Sequence, residues 1–279
     1  MIIPTLILVG AFVLFPLGRS LYLTFFDYSF LRNDEHFVGL ANYLEWVTDR
    51  NMWHSLLVSI QFFGLYVPVS MLIGLIVALL IDRLANKYLG AFYRTIFYFP
   101  VVLPAAIVFQ MWLWIYDPTL GLSQLMAESV GLISNDWLGN PDTAVGALAV
   151  MTIWRLTGET VIFFLVGLAN VPKDLIEAAR VDGASEVGII RKIIIPLLAP
   201  IILLVFVLRL KVLELIVEPL FMTEGGPIDA TLTYGLQAYY LFAKEDRIGY
   251  ANTWFILMAV IAVVAAVAAT RMTRRYQHD

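Results

Sequence analysis

Charged side chains inside long apolar stretches are the residues of this sequence with the greatest scope for chemistry. A charged group at membrane depth is costly unless it is paired or hydrated, so such groups mark interior faces or a water-filled path. Arg155 and Glu159 are four residues apart, a spacing that allows them to pair on one helix face. The full set of these residues is Arg19, Arg155, Glu159, Arg209, Lys211, Glu214 and Glu218.

The charged residues within 209–218 predict a contact between two helices. On one continuous helix, Lys211, Glu214 and Glu218 would lie within about 60° of one another, and Arg209 would point the other way. Arg209 therefore needs a partner on another helix, and Glu159 is a candidate for that partner.

These charges allow two interpretations, both of which stay open at this point. In the structural one, ion pairs fix the register of a helix bundle. In the functional one, some of the groups line a path for a polar solute, to which Gln61 and Gln110 add hydrogen-bonding groups. Arg209 and Lys211 leave room for an anionic solute. The candidate path residues are Gln61, Gln110, Arg155, Glu159, Arg209, Lys211, Glu214 and Glu218.

A second distinctive segment, residues 172–200, reads PKDLIEAARVDGASEVGIIRKIIIPLLAP. Pro172 and Asp174 favour the start of a helix, and Asp182-Gly183 is a turn signal that favours its end. Ser185 or Asp182 can cap a following helix. We expect a compact helical elbow, although an ordinary loop between two spans remains the alternative.

Several kinds of site are excluded or disfavoured by residue content. The sequence has no cysteine, and His36, His54 and His278 lack the spacing of metal ligands, so we expect no metal and no cofactor. Zinc-protease, serine-hydrolase and phosphate-binding-loop motifs are absent, so we expect neither an enzyme nor a chain that holds ATP itself. The net charge of −4 argues against a nucleic-acid partner.

The elements that must position these residues are membrane-spanning helices. Hydrophobic residues make up 61% of the chain and charged residues 14%, a balance that fits the lipid bilayer as solvent. We predict an all-α membrane protein, a single transmembrane domain over 1–279, whose opening segment is a first span rather than a removed signal peptide. Six spans are expected at about 2–25, 56–81, 92–116, 143–170, 194–222 and 250–270, with a loop at 171–193.

The distribution of basic residues predicts the orientation of these spans. Segments 82–94 and 171–193, together with the tail after the sixth span, carry ten basic residues, whereas the opposite loops carry four. Cytoplasmic loops carry the excess of lysine and arginine, so both termini and the elbow are expected in the cytoplasm.

The elbow carries a family resemblance. Glu177-Ala178-Ala179, three residues, Gly183, nine residues and then Ile193-Ile194-Ile195-Pro196 resembles the EAA loop of permeases from bacterial binding-protein-dependent ABC importers. Ile195 stands where that family usually has leucine. FVGLANY at 37–43, VGLANVP before the elbow and GGP at 225–227 are similar to the carbohydrate-uptake branch, which includes the maltose and glycerol-phosphate permeases.

This resemblance implies a transport subunit that forms half of the path for a sugar or sugar-like solute. Glu177, Ala178, Ala179, Asp182 and Gly183 would then belong to a coupling helix seated on a separate ATPase. The implied partners are a second homologous permease, two copies of the ATPase and an extracytoplasmic solute-binding protein. That protein would dock on 27–55, 223–249 and the acidic segment 117–142. The implied location is the plasma (inner) membrane of a bacterium or archaeon.

Other classes of protein stay open as alternatives. An ion-coupled secondary transporter could use the intramembrane glutamates as proton or ion sites. A scaffold or a channel is also compatible with six spans that contain ion pairs. The residues do not identify the solute, which could be a neutral sugar, an oligosaccharide, a sugar acid or a sugar phosphate.

Overall fold

The computed structural model describes residues 3–129 and 136–275, and within this part the side chains of Val212, Glu214 and 272–275 are not described. The helices are α1 Ile3–Val9, α2 Phe15–Leu23, α3 Ala41–Thr48, α4 Arg50–Asp82, α5 Lys87–Val102, α6 Ala105–Ile115, α7 Leu122–Ser129, α8 Pro141–Ala169, α9 Lys173–Val181, α10 Glu186–Ile189, α11 Ile195–Arg209, α12 Val217–Met222, α13 Tyr234–Ala243 and α14 Ile248–Arg275. Two π-helical turns, Gly10–Leu14 and Ile190–Ile194, join α1 to α2 and α10 to α11, and a 3₁₀ segment, Leu210–Glu214, follows α11. A two-stranded antiparallel hairpin consists of β1 Phe26–Ser29 and β2 Asp34–Phe37.

Five continuous helical segments are long and apolar enough to cross a membrane, and the bent pair α5–α6 makes a sixth. The five segments are Ile3–Leu23, Arg50–Asp82, Pro141–Ala169, Glu186–Arg209 and Ile248–Arg271. The prediction of a helical membrane protein with about six spans is confirmed. The small hairpin is the departure from an all-α fold.

Two of the predicted spans are interrupted. The stretch predicted at 92–116 bends by 95° where α5 gives way to α6. Leu103 there is extended, with ψ of 138°, because a residue before proline is driven out of the α region, and Pro104 precedes the first turn of α6. The stretch predicted at 194–222 leaves the α-helical conformation after Arg209. An α-helix begins again only at Val217.

The chain divides into two compact units. The first, called the hairpin unit, comprises Met1–Ile60 and Val212–Val264, and the second, called the elbow unit, comprises Gln61–Lys211 and Ala265–Asp279.

In the hairpin unit, the start of α14 lies directly against strand β1. A Cβ atom at Gly249 would lie 1.9 Å from the carbonyl oxygen of Phe26, so only glycine fits there. Asn42 on α3 donates its side-chain amide to the carbonyl oxygens of Thr24 and Phe26, at 2.9 and 3.0 Å. The start of β1 is thus held by the close approach of α14 and by the side chain of Asn42.

Asp246, just before α14, holds the turn of the hairpin. Its carboxylate accepts hydrogen bonds from the Ser29 hydroxyl and from the backbone N–H groups of Phe30 and Leu31, the latter two at 3.0 and 2.9 Å. The Ser29 hydroxyl and these N–H groups favour the ionised form and lower the pKa of Asp246 below its usual range.

In the elbow unit, helices approach closely through glycines, as is common where small residues replace bulk at helix crossings in membranes. A Cβ atom at Gly158 of α8 would lie 2.0 Å from the carbonyl oxygen of Phe97 on α5, and one at Gly74 of α4 would lie 2.5 Å from the Thr160 methyl group. A buried apolar cluster joins α4, α8, α10 and α11. Its members are Ala78, Ile81, Val161, Phe164, Leu168, Ile189, Ile194, Leu198 and Val205.

Candidate functional site

The elbow is built as its local signals predict. Helix α9 follows Pro172, and Asp174 lies in its first turn. The helix ends in a Schellman arrangement, in which the Ala184 N–H donates to Ala179 O at 2.9 Å and the Gly183 N–H donates to Arg180 O at 3.1 Å.

Gly183 and Ser185 then form the corner of the elbow. Gly183 has φ of +82°, the left-handed conformation that glycine adopts without strain. The Ser185 hydroxyl caps α10 by accepting from the Gly188 N–H at 3.2 Å. Of the two caps considered from the sequence, Ser185 is therefore the one that the structure contains.

Helix α9 has one packed side and one exposed side. Ile176 and Ala179 are half-buried against the apolar cluster of the elbow unit. Leu175, Ala178 and Val181 recur every three residues and are exposed, with Leu175 at 48% and Val181 at 88%. The other family-pattern residues, Glu177, Asp182 and Gly183, are exposed as well.

Glu186, the first residue of α10, joins the elbow to the end of α4. Its Oε1 accepts from Arg180 Nε of α9 at 2.9 Å, and its Oε2 lies 2.8 Å from an Nη atom of Arg83, the residue after α4. The hydrogen bond from Arg180 to Glu186 and the negative charge of Glu186 raise the pKa of Arg180 above its usual value. The three side chains line a cavity of about 430 Å³ together with Asp82, Lys173, Ile176 and Glu177.

No sequence pattern marked Arg83, Arg180 and Glu186 as a cluster. Arg83 and Glu186 are far apart in the chain, and many polar partners are available to surface charges. Spacing therefore carried no signal for this contact.

The second candidate site is the ion pair of Arg209 with Glu159, which confirms the predicted contact between two helices. Arg209 Nη1 lies 2.9 Å from Glu159 Oε2, and Nη2 donates to Thr160 Oγ1 at 2.9 Å and to Leu156 O at 3.3 Å. The Arg209 guanidinium also lies 5.9 Å from the centre of the Tyr66 ring. Only 8% of the Arg209 side chain is exposed, against 42% for Glu159. The arginine of this ion pair is therefore buried, whereas the glutamate is partly exposed.

The other candidate path residues differ in their burial. Gln61, Gln110 and Lys211 are exposed, while Glu218 is buried in the hairpin unit. The Arg155 guanidinium lies 5.6 Å from the centre of the Phe109 ring, and its pairing with Glu159 stays a prediction. The side chain of Glu214 lies outside the described part of the structure.

The prediction that Lys211, Glu214 and Glu218 share one helix face is wrong. It assumed 100° per residue along one helix. The chain instead forms a 3₁₀ segment over Leu210–Glu214 and has no helix at Leu215 and Ile216 before α12 begins.

Comparisons with known proteins agree with this architecture. Residues 70–278 match the family described as "Binding-protein-dependent transport system inner membrane component". A probable ABC transporter permease protein of Pyrococcus horikoshii is 32% identical over 271 residues, which cover 93% of this chain and 90% of that protein. The trehalose/maltose transport system permease protein MalF of Thermococcus litoralis is 31% identical over 252 residues, covering 88% and 83% of the two chains.

A solved structure has the same fold. It is the bacterial alginate ABC transporter in complex with an alginate pentasaccharide-bound periplasmic protein. One of its chains matches with a TM-score of 0.84 and 22% identity over 99% of this chain and 93% of that one. The family match and the identities above 30% over nearly the whole chain show that this protein belongs to the binding-protein-dependent inner membrane components, the permease subunits of ABC importers, which are multi-pass proteins of the plasma membrane.

Proposed function

We propose that this permease, as one transmembrane domain over 1–279, forms half of the translocation path of an ATP-driven sugar importer. The relative from Thermococcus litoralis is named as a trehalose/maltose permease, and the solved structure of the same fold is named as an alginate transporter. These names favour a carbohydrate solute for the present chain. An ion-coupled secondary transporter is not favoured, because the family is one of ABC importers.

The exposed side of α9 is the observation that carries the coupling part of this proposal. Leu175, Ala178 and Val181 form an apolar strip on a short helix whose other side is already packed. A strip of this kind on a polar elbow suits a partner groove, and alanine at its centre allows close approach. Glu177 adds a carboxylate for a charge-assisted contact. The partner is a separate ATPase, since the sequence has no phosphate-binding loop of its own.

The proposed assembly contains a second permease, two ATPase subunits and a solute-binding protein. The ten basic residues on the elbow side support a cytoplasmic position for both termini and α9. Segments 27–55, 223–249 and 117–142 are then extracytoplasmic and receive the binding protein. Residues 130–135 of the last segment are outside the described part of the chain.

Co-purification of the ATPase tests the coupling surface. Val181→Asp places a charge in the apolar strip and should release the ATPase from the tagged permease. Ile228→Asp is a matched control, because Ile228 is equally exposed, at 88%, in a loop of the hairpin unit. Retention of the ATPase by the Val181 variant at the wild-type level would contradict the proposal.

The solute path needs a separate test, because the charges of the elbow unit also suit a structural role. Glu159→Gln and Lys211→Met should strongly reduce uptake of the imported sugar while the amount of assembled complex stays the same. A purely structural role predicts loss of the complex instead. Wild-type uptake by both variants excludes these two residues from the path.

A further inference from the structure

Glu186 stands at a junction of three parts of the elbow unit. It begins the helix that continues through the π turn into α11, its Oε1 binds Arg180 of α9, and its Oε2 binds Arg83 at the end of α4. Helix α9 is tied to α8 and α11 by short stretches of chain, whereas it has no such covalent tie to α4. The contact of Glu186 with Arg83 supplies a polar tie in its place.

Stability alone does not account for this junction. The side chains of Arg83, Arg180 and Glu186 are 43%, 52% and 47% exposed, and ion pairs this open to solvent contribute little to folding. Their removal should therefore leave the unit folded, which makes a mechanical role testable. A carboxylate that already binds one arginine loses less side-chain freedom on binding a second, so the three groups act as one network.

The apolar contacts under α9 do not fix its position in the same way. Ile176 and Ala179 pack against a cluster that includes Ala78 and Ile81 of α4. Apolar contacts are non-directional, so they specify the position of the helix over that cluster less sharply than hydrogen bonds do. The hydrogen-bonded ion pairs are directional and specify one position of α9 relative to the end of α4.

We propose that Glu186 is a positioning residue that makes the end of α4 follow the movement of α9. This inference rests on the proposed coupling of α9 to an ATPase. When the ATPases close, α9 moves. The chain itself transmits this displacement to the fourth and fifth spans, and the contacts of Glu186 with Arg180 and Arg83 transmit it to the second span. Without Glu186, α9 would move against α4, and ATP hydrolysis would drive transport less efficiently.

The absence of cysteine from the sequence makes a distance measurement practical. Spin labels at Asp174→Cys on α9 and Leu80→Cys on α4, both at exposed positions, report the separation of the two helices in the co-purified complex. The probe is a non-hydrolysable ATP analogue. With Glu186 present, the separation should be the same with and without nucleotide. With Glu186→Gln it should change on nucleotide binding by about 1–2 Å, the scale of helix shifts in switching proteins.

Two further variants make the test specific. Arg83→Gln should reproduce the effect of Glu186→Gln, and the double variant should show no larger change, because both substitutions break the same pair. Asp82→Asn is the matched control. Asp82 lines the same cavity but forms no ion pair with any residue described, so its substitution should leave the separation constant.

The outcomes separate the two proposals. A constant separation in the Glu186 variant, with ATPase bound, overturns the positioning role and leaves ATPase coupling intact. A nucleotide-dependent separation in the protein that retains Glu186 also overturns it. Failure of the chain that retains Glu186 to co-purify with an ATPase overturns the proposed coupling itself, and the positioning role with it.

Discussion

Asp246 in the hairpin unit and Glu186 in the elbow unit each hold a loop, but they do so through different kinds of donor. Asp246 in the hairpin unit accepts from a serine hydroxyl and from two backbone N–H groups of the hairpin turn. Glu186 in the elbow unit accepts from the long side chains of Arg83 and Arg180. Backbone donors hold the turn in one conformation, whereas the two arginines tie Glu186 to separate helices, α9 and the end of α4.

The difference suggests that the two loops serve different purposes. A loop held by its own backbone keeps one shape, which suits a surface that a partner must recognise repeatedly. A loop whose polar contacts join it to separate helices can be displaced together with those helices, which suits a lever. The variants below test whether the hairpin is fixed and whether movement in the elbow unit is confined to the elbow.

The largest effect is expected where α5 and α8, called the base of the elbow unit, pack closely together. Gly158→Ala places a methyl group 2.0 Å from the Phe97 carbonyl oxygen, so α5 and α8 must separate. Overpacking of this kind costs roughly 1–3 kcal/mol or more, and we expect a sharp loss of folded protein. Thermal unfolding of the detergent-solubilised protein measures it. Gly146→Ala on the same helix has open space around it and should be harmless. Equal behaviour of the two variants would show that the base is not rigid.

The second effect concerns the fixed hairpin. Asp246→Asn keeps the shape and tolerates the positive φ of 54°, but it removes the charge and one of the two acceptor oxygens. Hydrogen exchange of the segment 26–37 should rise by at least about tenfold, because the turn amides lose a charged acceptor. Mass spectrometry measures this exchange. Glu245→Gln is the control, since that neighbouring side chain accepts no hydrogen bond from the described residues, and it should leave exchange unchanged.

The same carboxylate predicts a dependence on pH. The pKa of Asp246 is lower in the folded protein than in the unfolded chain, so its stabilisation of the hairpin is complete above the unfolded value of about 3.9. The stabilisation is lost as the pH falls through the lower, folded value. The ratio of exchange rates between Asp246→Asn and the wild type should therefore shrink only in acid. A ratio that stays constant across that range would show that the charge of Asp246 does not hold the turn.

Local signals explain which features could be predicted from the sequence. Pro172, Gly183 and Ser185 each fix the backbone within one turn, so the ends of the elbow helices follow from residue type. The contact of Arg209 with Glu159 was predictable for another reason: a buried charge at membrane depth has few available partners.

Features that depend on contacts between distant residues could not be predicted from the sequence. The hairpin turn is held by Asp246, more than two hundred residues further along the chain, and its partners include backbone groups that every residue carries. The end of α11 at Arg209 was missed because Leu210–Glu214 is as compatible with α-helix as the residues before it. The Glu186 junction joins surface charges, for which spacing gives no preferred partner.

The smallest effect tests the corner of the elbow. Gly183→Ala meets no atom within 4 Å, so its only cost is the left-handed conformation, about 1–2 kcal/mol. Gly90→Ala, in the interior of α5 and also free of contacts, should instead stabilise the protein by up to about 1 kcal/mol. We expect hydrogen exchange of 173–185 to rise in the first variant while the melting temperature falls only slightly, because the elbow opens without the base. A large fall in the melting temperature of Gly183→Ala would mean that elbow and base unfold together, and the elbow could not then act as a separate lever.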